Sequence, residues 1–196
     1  MRRVLTILVL SAAPAAFAQS FEGAVSFGES LLSNSTIGTV PSQTGVGNDT
    51  YSLTNGFRFG FRMTVNFKSH MGGEFGYAYN RTHLQLDGVD QGGMAVHQVW
   101  GDGLFYATKD ESRVRPFVAA GVGFANFVPP GASASYGQGE NHYPFNYGAG
   151  VKVKVTGMWM LRFDIRQYNS SKPFGLPNNG GRLLMNEISA GVGIAI

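Results

Sequence analysis

The feature that most constrains the fold is a regular alternation of apolar residues with small or charged ones over residues 146–168, NYGAGVKVKVTGMWMLRFDIRQY. Successive side chains of a β-strand point to opposite faces of a sheet, so this period of two predicts strands with one apolar face. The 28 glycines of the chain disfavour long helices, and the absence of cysteine excludes disulfides and thiolate metal sites. The class of protein then depends on which strand face meets water.

The N-terminal segment has the features of a secretory signal peptide. Two arginines precede an apolar run, and residues 16–18, AFA, form a small-x-small cleavage site. The alternative is a membrane-anchoring helix, but such a helix needs about 20 apolar residues, and Pro14 interrupts a shorter run. We therefore predict a signal peptide over residues 1–18 and a mature domain over residues 19–196.

The mature domain is almost neutral. The chain has 15 Lys and Arg against 12 Asp and Glu, and removal of the two signal-peptide arginines leaves 13 against 12, a formal charge of +1. This balance gives no reason to expect nucleic acid as a partner. The mature part has no run of 18 apolar residues, so it is not expected to cross a membrane as helices.

Eight segments carry the period-two pattern, and turn residues follow each of them. The predicted strands are residues 21–31, 55–67, 71–82, 94–108, 115–127, 144–155, 158–169 and 185–196. Short connections alternate with long ones rich in Gly, Ser, Pro and Asn, so all long connections are expected at one end. The pattern predicts an all-β fold, an eight-stranded antiparallel up-and-down β-barrel.

Two kinds of barrel fit this pattern, a soluble lipocalin-like barrel with its apolar row inside and an outer-membrane barrel with that row outside. The row opposite the apolar one decides between them, because in residues 115–127 and 185–196 it is mainly Gly, Ala and Ser. Such a row makes a poor water-facing surface but leaves room inside a narrow barrel. The apolar rows within residues 57–67, 75–79, 118–124, 145–153, 159–165 and 188–196 carry no charge and have aromatic residues near strand ends, as a lipid face requires. We therefore predict a transmembrane barrel with the small row inside.

The fourth predicted strand, residues 94–108, fits this pattern least well. Its polar and aromatic residues His97, Gln98, Trp100 and Asp102 cannot all lie inside at a period of two. A β-bulge or a shifted register is therefore predicted there.

Charged residues on the small row are expected to fill the lumen. Buried charges persist when they are paired, so an interior ion-pair network is predicted instead of an open aqueous channel. Two pairs are expected between neighbouring or equally high positions, Arg62 with Glu74 and Arg166 with Glu187. The predicted network consists of Arg58, Arg62, Glu74, Lys152, Lys154, Arg162, Asp164, Arg166 and Glu187, with Glu22 as a weaker candidate.

The turn at residues 155–157 adds a prediction about register. Charged residues on both sides of this turn must share the inner face, so the turn has an odd number of residues. A three-residue turn puts glycine at the left-handed position that such turns favour. Gly150 would then lie opposite Arg162, and Gly148 opposite Asp164.

Three segments, RPFVAAGVGFANF (residues 115–127), FNYGAGVKVKVTGMWMLRFDIRQY (145–168) and EISAGVGIAI (187–196), resemble the small outer-membrane β-barrel domain family, which includes OmpA-type barrels of Gram-negative bacteria. The resemblance covers essentially the whole mature chain. It implies insertion into the outer membrane by the barrel assembly machinery, long loops facing outside, and outer-membrane lipid and lipopolysaccharide as surroundings. It implies no particular activity.

The residues give little sign of catalysis. Of the four histidines, only His142, with Glu140 nearby, is in a suggestive context, and none lies in a nucleophile motif. The closely spaced glycines lie within strands, where no helix N-terminus follows to hold a phosphate. We expect no enzyme, no catalytic residue, no cofactor and no metal. The expected function is a structural or surface-interaction role for a monomer, with loops that can contact an extracellular partner. The alternatives are a small gated pore with weak anion preference and, more distantly, a lipid-modifying enzyme.

Overall fold

The computed structural model describes residues 20–68 and 70–196. The predicted signal peptide, residues 1–18, lies outside the described residues. The strands follow the chain as β1 (Ser20–Ser33), β2 (Thr36–Pro41), β3 (Asn48–Leu53), β4 (Gly56–Lys68), β5 (Met71–Leu86), β6 (Val89–Tyr106), β7 (Val114–Val128), β8 (Glu140–His142), β9 (Phe145–Thr156), β10 (Trp159–Ser171) and β11 (Arg182–Ala195). Two short 3₁₀ turns occupy Ala134–Tyr136 and Pro173–Gly175. No helix in this part of the chain is long and apolar enough to span a membrane.

Eight of these strands form a closed antiparallel barrel, as predicted. The order around the barrel is β1, β4, β5, β6, β7, β9, β10 and β11, and pairing of β11 with β1 closes it. The connections β4–β5, β6–β7 and β9–β10 are short and lie at one end, which we call the short-turn end. The connections β1–β4, β5–β6, β7–β9 and β10–β11 lie at the other end, which we call the loop end.

The strands are strongly tilted. A row of paired residues that starts at Arg81 in β5 and passes once around the barrel returns to β5 at Met71, ten residues nearer the short-turn end. This stagger corresponds to a strand tilt of about 35–45°. Rows of laterally neighbouring side chains therefore run obliquely to the barrel axis.

The two faces of the strands are assigned as predicted. Outward residues such as Phe57, Phe75 and Ile165 are about half exposed, whereas the charged residues beside them in the chain, Arg58, Glu74 and Arg166, are buried inside. Glycines on the inner row allow close approach of large groups. A Cβ atom on Gly150, for example, would lie 2.5 Å from the ring of Phe117.

Strand β6 contradicts one prediction. From Gly93 to Tyr106 it pairs with its neighbours without a bulge. Gln98, Trp100 and Asp102 are all buried on the inner face, and His97 lies on the outer face. The four residues do not all lie inside, and a regular strand accommodates them because the Nδ1 atom of His97 lies 2.8 Å from the Tyr77 hydroxyl on the outer surface. The register shift of this hairpin occurs instead between Leu84 and Gln85.

Two connections predicted to be loops contain further strand structure. β5 and β6 continue to a two-residue turn, Asp87-Gly88, in which both residues have positive φ, 49° and 79°. Such a turn matches the twist of a hairpin, and this chemistry extends the pairing well past the predicted strand ends. The first long connection forms the β2–β3 hairpin, and β3 pairs with the extended part of β5.

The loop end of the lumen is closed by apolar side chains and by two connections. Buried residues from the walls and from the β2–β3 hairpin form one cluster, which includes Ile37, Leu53, Met94, Phe127, Leu183 and Met185. The hairpin is held to the β10–β11 connection, since the Thr39 N–H donates to the Pro177 carbonyl at 2.8 Å and the Asn178 amide donates to the Thr39 hydroxyl at 2.9 Å.

The inner glycines make a testable difference between the two faces. In Gly76→Ala the new Cβ would lie 2.3 Å from the buried Trp100 ring, which must shift. We expect Gly76→Ala to lower the free energy of unfolding by about 1–3 kcal/mol. Gly101→Ala is the matched control on the outer face, where nothing lies within 4 Å of the added atom. Denaturant unfolding in lipid vesicles measures both, and equal losses would contradict the assignment of the faces.

Candidate functional site in the lumen

Glu74 is the centre of the interior charges. β5 directs it inward, and its carboxylate lies 2.7 Å from Nη2 of Arg166 and 4.0 Å from Nε of Arg62. It also accepts two hydrogen bonds from Arg162, and the Thr64 hydroxyl donates to it at 3.1 Å. Three guanidinium groups from two walls thus share one buried carboxylate.

Asp164 is the second carboxylate of this cluster. It receives Nε and Nη2 of Arg162 at 2.8 and 3.0 Å, a bidentate arrangement, and Nη1 of Arg62 at 2.5 Å. Nε of Arg166 is 3.5 Å away. Bidentate guanidinium–carboxylate pairs are directional as well as strong. Because each arginine contacts both Glu74 and Asp164, the five groups form one connected unit, which we call the Glu74 cluster.

Two groups extend the Glu74 cluster toward the loop end. Arg166 is also paired with Asp102, which accepts a hydrogen bond from the Asn146 amide at 2.9 Å. The buried ring of Trp100 lies 5.3 Å from the guanidinium carbon of Arg58 and 6.0 Å from that of Arg166, within the range of cation–π attraction. Arg58 itself forms an ion pair with Glu187.

A second group of charges lies nearer the short-turn end. Lys152 is paired with Glu22 and donates to the Tyr106 hydroxyl at 2.8 Å. The Arg115 guanidinium lies 2.7 Å from Asp110 and 3.8 Å from the centre of the Tyr106 ring. This end therefore also holds its cations against carboxylates and one aromatic ring.

The structure buries eight of the nine residues of the predicted network inside the barrel. They are Arg58, Arg62, Glu74, Lys152, Arg162, Asp164, Arg166 and Glu187, and the weaker candidate Glu22 is buried with them. Lys154 is the exception, because it lies exposed at the short-turn rim and donates to the Asp110 carbonyl. Lys154 does belong to the inner row of β9, but it lies at the edge of the barrel, outside the buried part of the lumen.

Within the barrel strands, sequence reasoning missed two buried charges, Asp102 and Arg115. The signal that could have found them is the alternation of faces along a strand, in which every second residue points inward. Asp102 is even-numbered like the buried Gln98 and Trp100 of the same strand, and Arg115 is odd-numbered like the buried Phe117 of β7. Both could have been placed inside once the inner face of each strand was fixed.

The predicted register of the β9–β10 hairpin was wrong by two residues. Arg162 lies opposite Lys152, not Gly150, and Asp164 lies opposite Gly150, not Gly148. The hairpin has a shorter turn than predicted, since Trp159 already pairs with Thr156. A bulge between Trp159 and Met160 then shifts the pairing by one residue, so that Met160 lies opposite Lys154. The parity argument was correct, so the inward face was unaffected.

The two expected ion pairs are only partly formed. Arg166 does lie opposite Glu187 in the sheet, but Glu187 is paired with Arg58 instead. Arg62 is 4.0 Å from Glu74, whereas its contact with Asp164 is much closer. In both cases the preferred partner comes from another wall of the lumen and not from the strand paired with it.

A serine, a histidine and a glutamate meet at the loop end. Nδ1 of His142 lies 2.5 Å from the Ser171 hydroxyl, and its Nε2 lies 3.0 Å from Glu140. Nε2 makes no hydrogen bond to the described residues despite this short distance. Glu140 instead accepts the Phe174 N–H. These contacts fasten β8 to the β10–β11 connection.

The extended β5–β6 hairpin carries an exposed charge pair. The Asp90 carboxylate accepts the Gly92 N–H at 2.8 Å and lies 2.9 Å from Nδ1 of His83. Two hydrogen bonds lower the pKa of Asp90, and the one from the Gly92 N–H has a larger effect than the one from His83. Among the described residues, no three His, Cys, Asp or Glu side chains are arranged to hold a metal ion.

Comparison with known proteins agrees with this architecture. The sequence profile of the family described as outer membrane protein beta-barrel domain matches residues 4–195. The chain belongs to this family. No significant match was found among curated proteins.

Solved outer-membrane barrels share the fold at low sequence identity. OprG from Pseudomonas aeruginosa is 11% identical with a TM-score of 0.61, and the alignment covers 91% of this chain and 95% of that one. Neisserial surface protein A is 14% identical with a TM-score of 0.56, covering 89% and 96%. The N-terminal barrel domain of Pseudomonas aeruginosa OprF is 16% identical with a TM-score of 0.50, covering 90% and 97%. The family match supports an outer membrane as the location of this barrel.

The Glu74 cluster predicts a large effect of one substitution on this outer-membrane barrel. Glu74→Gln removes the shared negative charge and leaves three arginines close together, so we expect a loss of about 3–5 kcal/mol in the free energy of unfolding. Glu111→Gln, in the exposed β6–β7 turn, is the control and should change stability by less than about 0.5 kcal/mol. Urea unfolding in vesicles and the gel mobility of unheated samples measure the effect. A Glu74→Gln protein as stable as the control would show that the cluster is not required.

Proposed function

We propose that the protein is a closed, non-conducting outer-membrane barrel with a structural or surface-interaction role, whose loop end faces the exterior of the cell. The observation that supports this best is the pairing of Glu74 with Arg162 and Arg166. β5 and β10 are four strands apart in a ring of eight, so they are opposite walls. An ion pair between opposite walls leaves no open path at that height.

Further pairs support closure at other heights. Lys152 reaches from β9 to Glu22 of β1, and the aromatic pair of Trp100 and Tyr168, with ring centres 5.8 Å apart, fills the lumen nearer the loop end. The connections joined through Thr39 lie beyond these rings. An eight-stranded barrel is only wide enough for side chains to fill, so these layers suffice to close it.

The loop end offers the surface for interaction. It carries exposed apolar side chains, Val46, Tyr136 and Tyr143, each about 80% exposed. Tyrosines on loops supply contact area at a low cost in conformational entropy. We propose that an extracellular partner, where one binds, contacts this surface, and that the barrel works as a monomer without cofactor, metal or catalytic residue.

A gated pore with weak anion preference is the second candidate. Among the described residues, the barrel strands bury six cations, Arg58, Arg62, Arg115, Lys152, Arg162 and Arg166, against five carboxylates, Glu22, Glu74, Asp102, Asp164 and Glu187. A further buried cation, Lys172, follows β10 and donates to Asn34 at 3.1 Å. Within the barrel strands the excess is one positive charge, and the cations there contact carboxylates in the pairs described above. This balance gives little field for anion selection, so we favour the closed barrel.

Conductance separates the two candidates. We expect wild-type protein in planar lipid bilayers to produce no stable channels under conditions in which a porin conducts, because ion pairs cross the lumen at several heights. A porin reconstituted in the same way is the positive control. Stable openings of wild-type protein on the porin scale would overturn the closed-barrel proposal.

The orientation gives a second prediction. We expect an epitope inserted at Val46, in the β2–β3 turn, to bind antibody on intact cells. The same epitope at Glu111, in the β6–β7 turn, should bind only after the outer membrane is permeabilised. Flow cytometry measures both insertions, and the reverse result would assign the loop end to the periplasm.

A further inference from the structure

The outward surface of the barrel carries two apolar grooves that meet. The first, of about 920 Å³, lies between Phe27, Phe163, Ile188 and Ala190, and the exposed Glu29 is the charged outward side chain that also lines it. The second, of about 810 Å³, lies between Phe105, Val118, Ala120 and Tyr147. Ala149 and Ile165 line both. These volumes are in the range of about 300–1,000 Å³ that is usual for small-molecule sites.

The grooves are present because several outward residues on this side of the barrel are alanines. On this side the outward row has Ala120, Ala149 and Ala190 between larger neighbours, whereas on β4 the outward positions are filled by Phe57, Phe59, Phe61, Met63, Val65 and Phe67. Ile165 is 62% exposed and stands between the grooves as a ridge. The second groove follows the oblique row of paired residues from Gln167 through Tyr147 and Ala120 to Gly103.

A polar ladder borders the grooves on the side of the loop end. The Tyr147 hydroxyl donates to Gln167, the Gln167 amide donates to Asn186 at 2.7 Å, and the Asn186 amide donates to Ser33 at 3.4 Å. Gln167 and Asn186 also line the second groove. The apolar grooves are therefore continuous with a row of amide and hydroxyl groups across four strands, β9, β10, β11 and β1.

A cation stands beyond the ladder. Arg182 is exposed, its guanidinium carbon lies 5.4 Å from the centre of the Phe145 ring, and its Nη2 donates to the Asn169 carbonyl at 3.0 Å. A guanidinium has five N–H donors, so these contacts fix the group and leave donors for an anion. From the middle of the barrel to the loop end, this surface is thus apolar, then hydrogen-bonding, then positively charged.

We propose that this surface is a binding site for one molecule of the phosphorylated glycolipid of the outer leaflet, the lipid part of lipopolysaccharide. Two of its acyl chains lie in the two grooves on either side of Ile165. Its sugar hydroxyl and amide groups meet the Tyr147–Gln167–Asn186 ladder, and a phosphate binds Arg182. This assignment rests on the proposed orientation, which exposes the loop end of the barrel to the outer leaflet.

Several observations favour this occupant over a second barrel or a simple phospholipid. Paired grooves separated by a ridge suit two chains of one lipid better than the side of another barrel. The ladder offers several hydrogen-bonding groups in a row, which suits a sugar better than a phosphodiester headgroup. Arginine in turn is well suited to phosphate, because its planar donors match the phosphate oxygens.

Two substitutions test the two parts of the site. Ala149→Phe fills the junction of the grooves while keeping the surface apolar, and its control is Val122→Phe, an exposed outward position that lines neither groove. Arg182→Gln removes the cation, and its control is Arg81→Gln, an exposed outward arginine on β5. The refolded proteins, in phosphatidylcholine nanodiscs, are titrated with bis-phosphorylated lipid A, and native mass spectrometry counts the bound lipid.

We expect wild-type protein and both controls to bind lipid A at least about tenfold more tightly than phosphatidylethanolamine or phosphatidylglycerol. Ala149→Phe should weaken binding of lipid A about tenfold. Arg182→Gln should weaken it by a similar factor for the phosphorylated lipid and leave binding of the dephosphorylated lipid unchanged, because a charge-assisted contact is lost only in the first case. If Ala149→Phe does not fold, Ala120→Phe fills the second groove alone.

Three results would overturn the proposal. They are equal binding of all lipids, equal losses in the variants and their controls, and a dimer of the barrel that disappears in Ala149→Phe without a change in lipid binding. The epitope experiment separates these failures from an inverted orientation, which would leave the site facing the inner leaflet.

Discussion

The sharing of the Glu74 carboxylate by arginines from two walls is the interaction on which the rest of the structure depends. It joins β5 to β10, and Arg62 joins β4 to β10 through Asp164, so β10 is held at a fixed separation from two strands with which it shares no backbone hydrogen bonds. A charge removed from water is costly unless it is paired and its remaining donors are satisfied. In the Glu74 cluster every charge contacts an opposite charge, although the Nε atoms of Arg62 and Arg166 make no hydrogen bond. The small inner residues and the aromatic layer are arranged around it.

The same residue types do different work on the two faces of the sheet. Inside, glycines such as Gly76 and Gly150 make room for Trp100 and Phe117, so that large groups can cross a narrow lumen. Outside, alanines such as Ala120 and Ala149 leave shallow grooves in a surface that is otherwise covered by large apolar side chains. The inner glycines are needed because the lumen is tightly packed. The outer residues are apolar because they face lipid.

A polar interior also has a consequence before folding. Strands apolar on both faces would be continuous hydrophobic segments, which aggregate readily while a chain is unfolded. Placing arginine, lysine and carboxylates at every second position interrupts these runs. The residues that fill the lumen after folding therefore also reduce aggregation of the chain on its way to the membrane.

The sequence by itself determined the number of barrel strands, their antiparallel order and the inward face of most of them, because a period of two is a local property that any regular strand expresses. It determined that Arg162, Asp164 and Arg166 point inward, and that Trp159, Leu161 and Phe163 point outward. It did not determine which charges meet. Partners such as Arg162 and Glu74 come from opposite walls and are brought to one height by the stagger of the strands, which only the closed barrel defines. The bulge in the β9–β10 hairpin, the inward Trp100 and the hairpins of the loop end were also decided by tertiary packing, because each depends on neighbours distant in the chain.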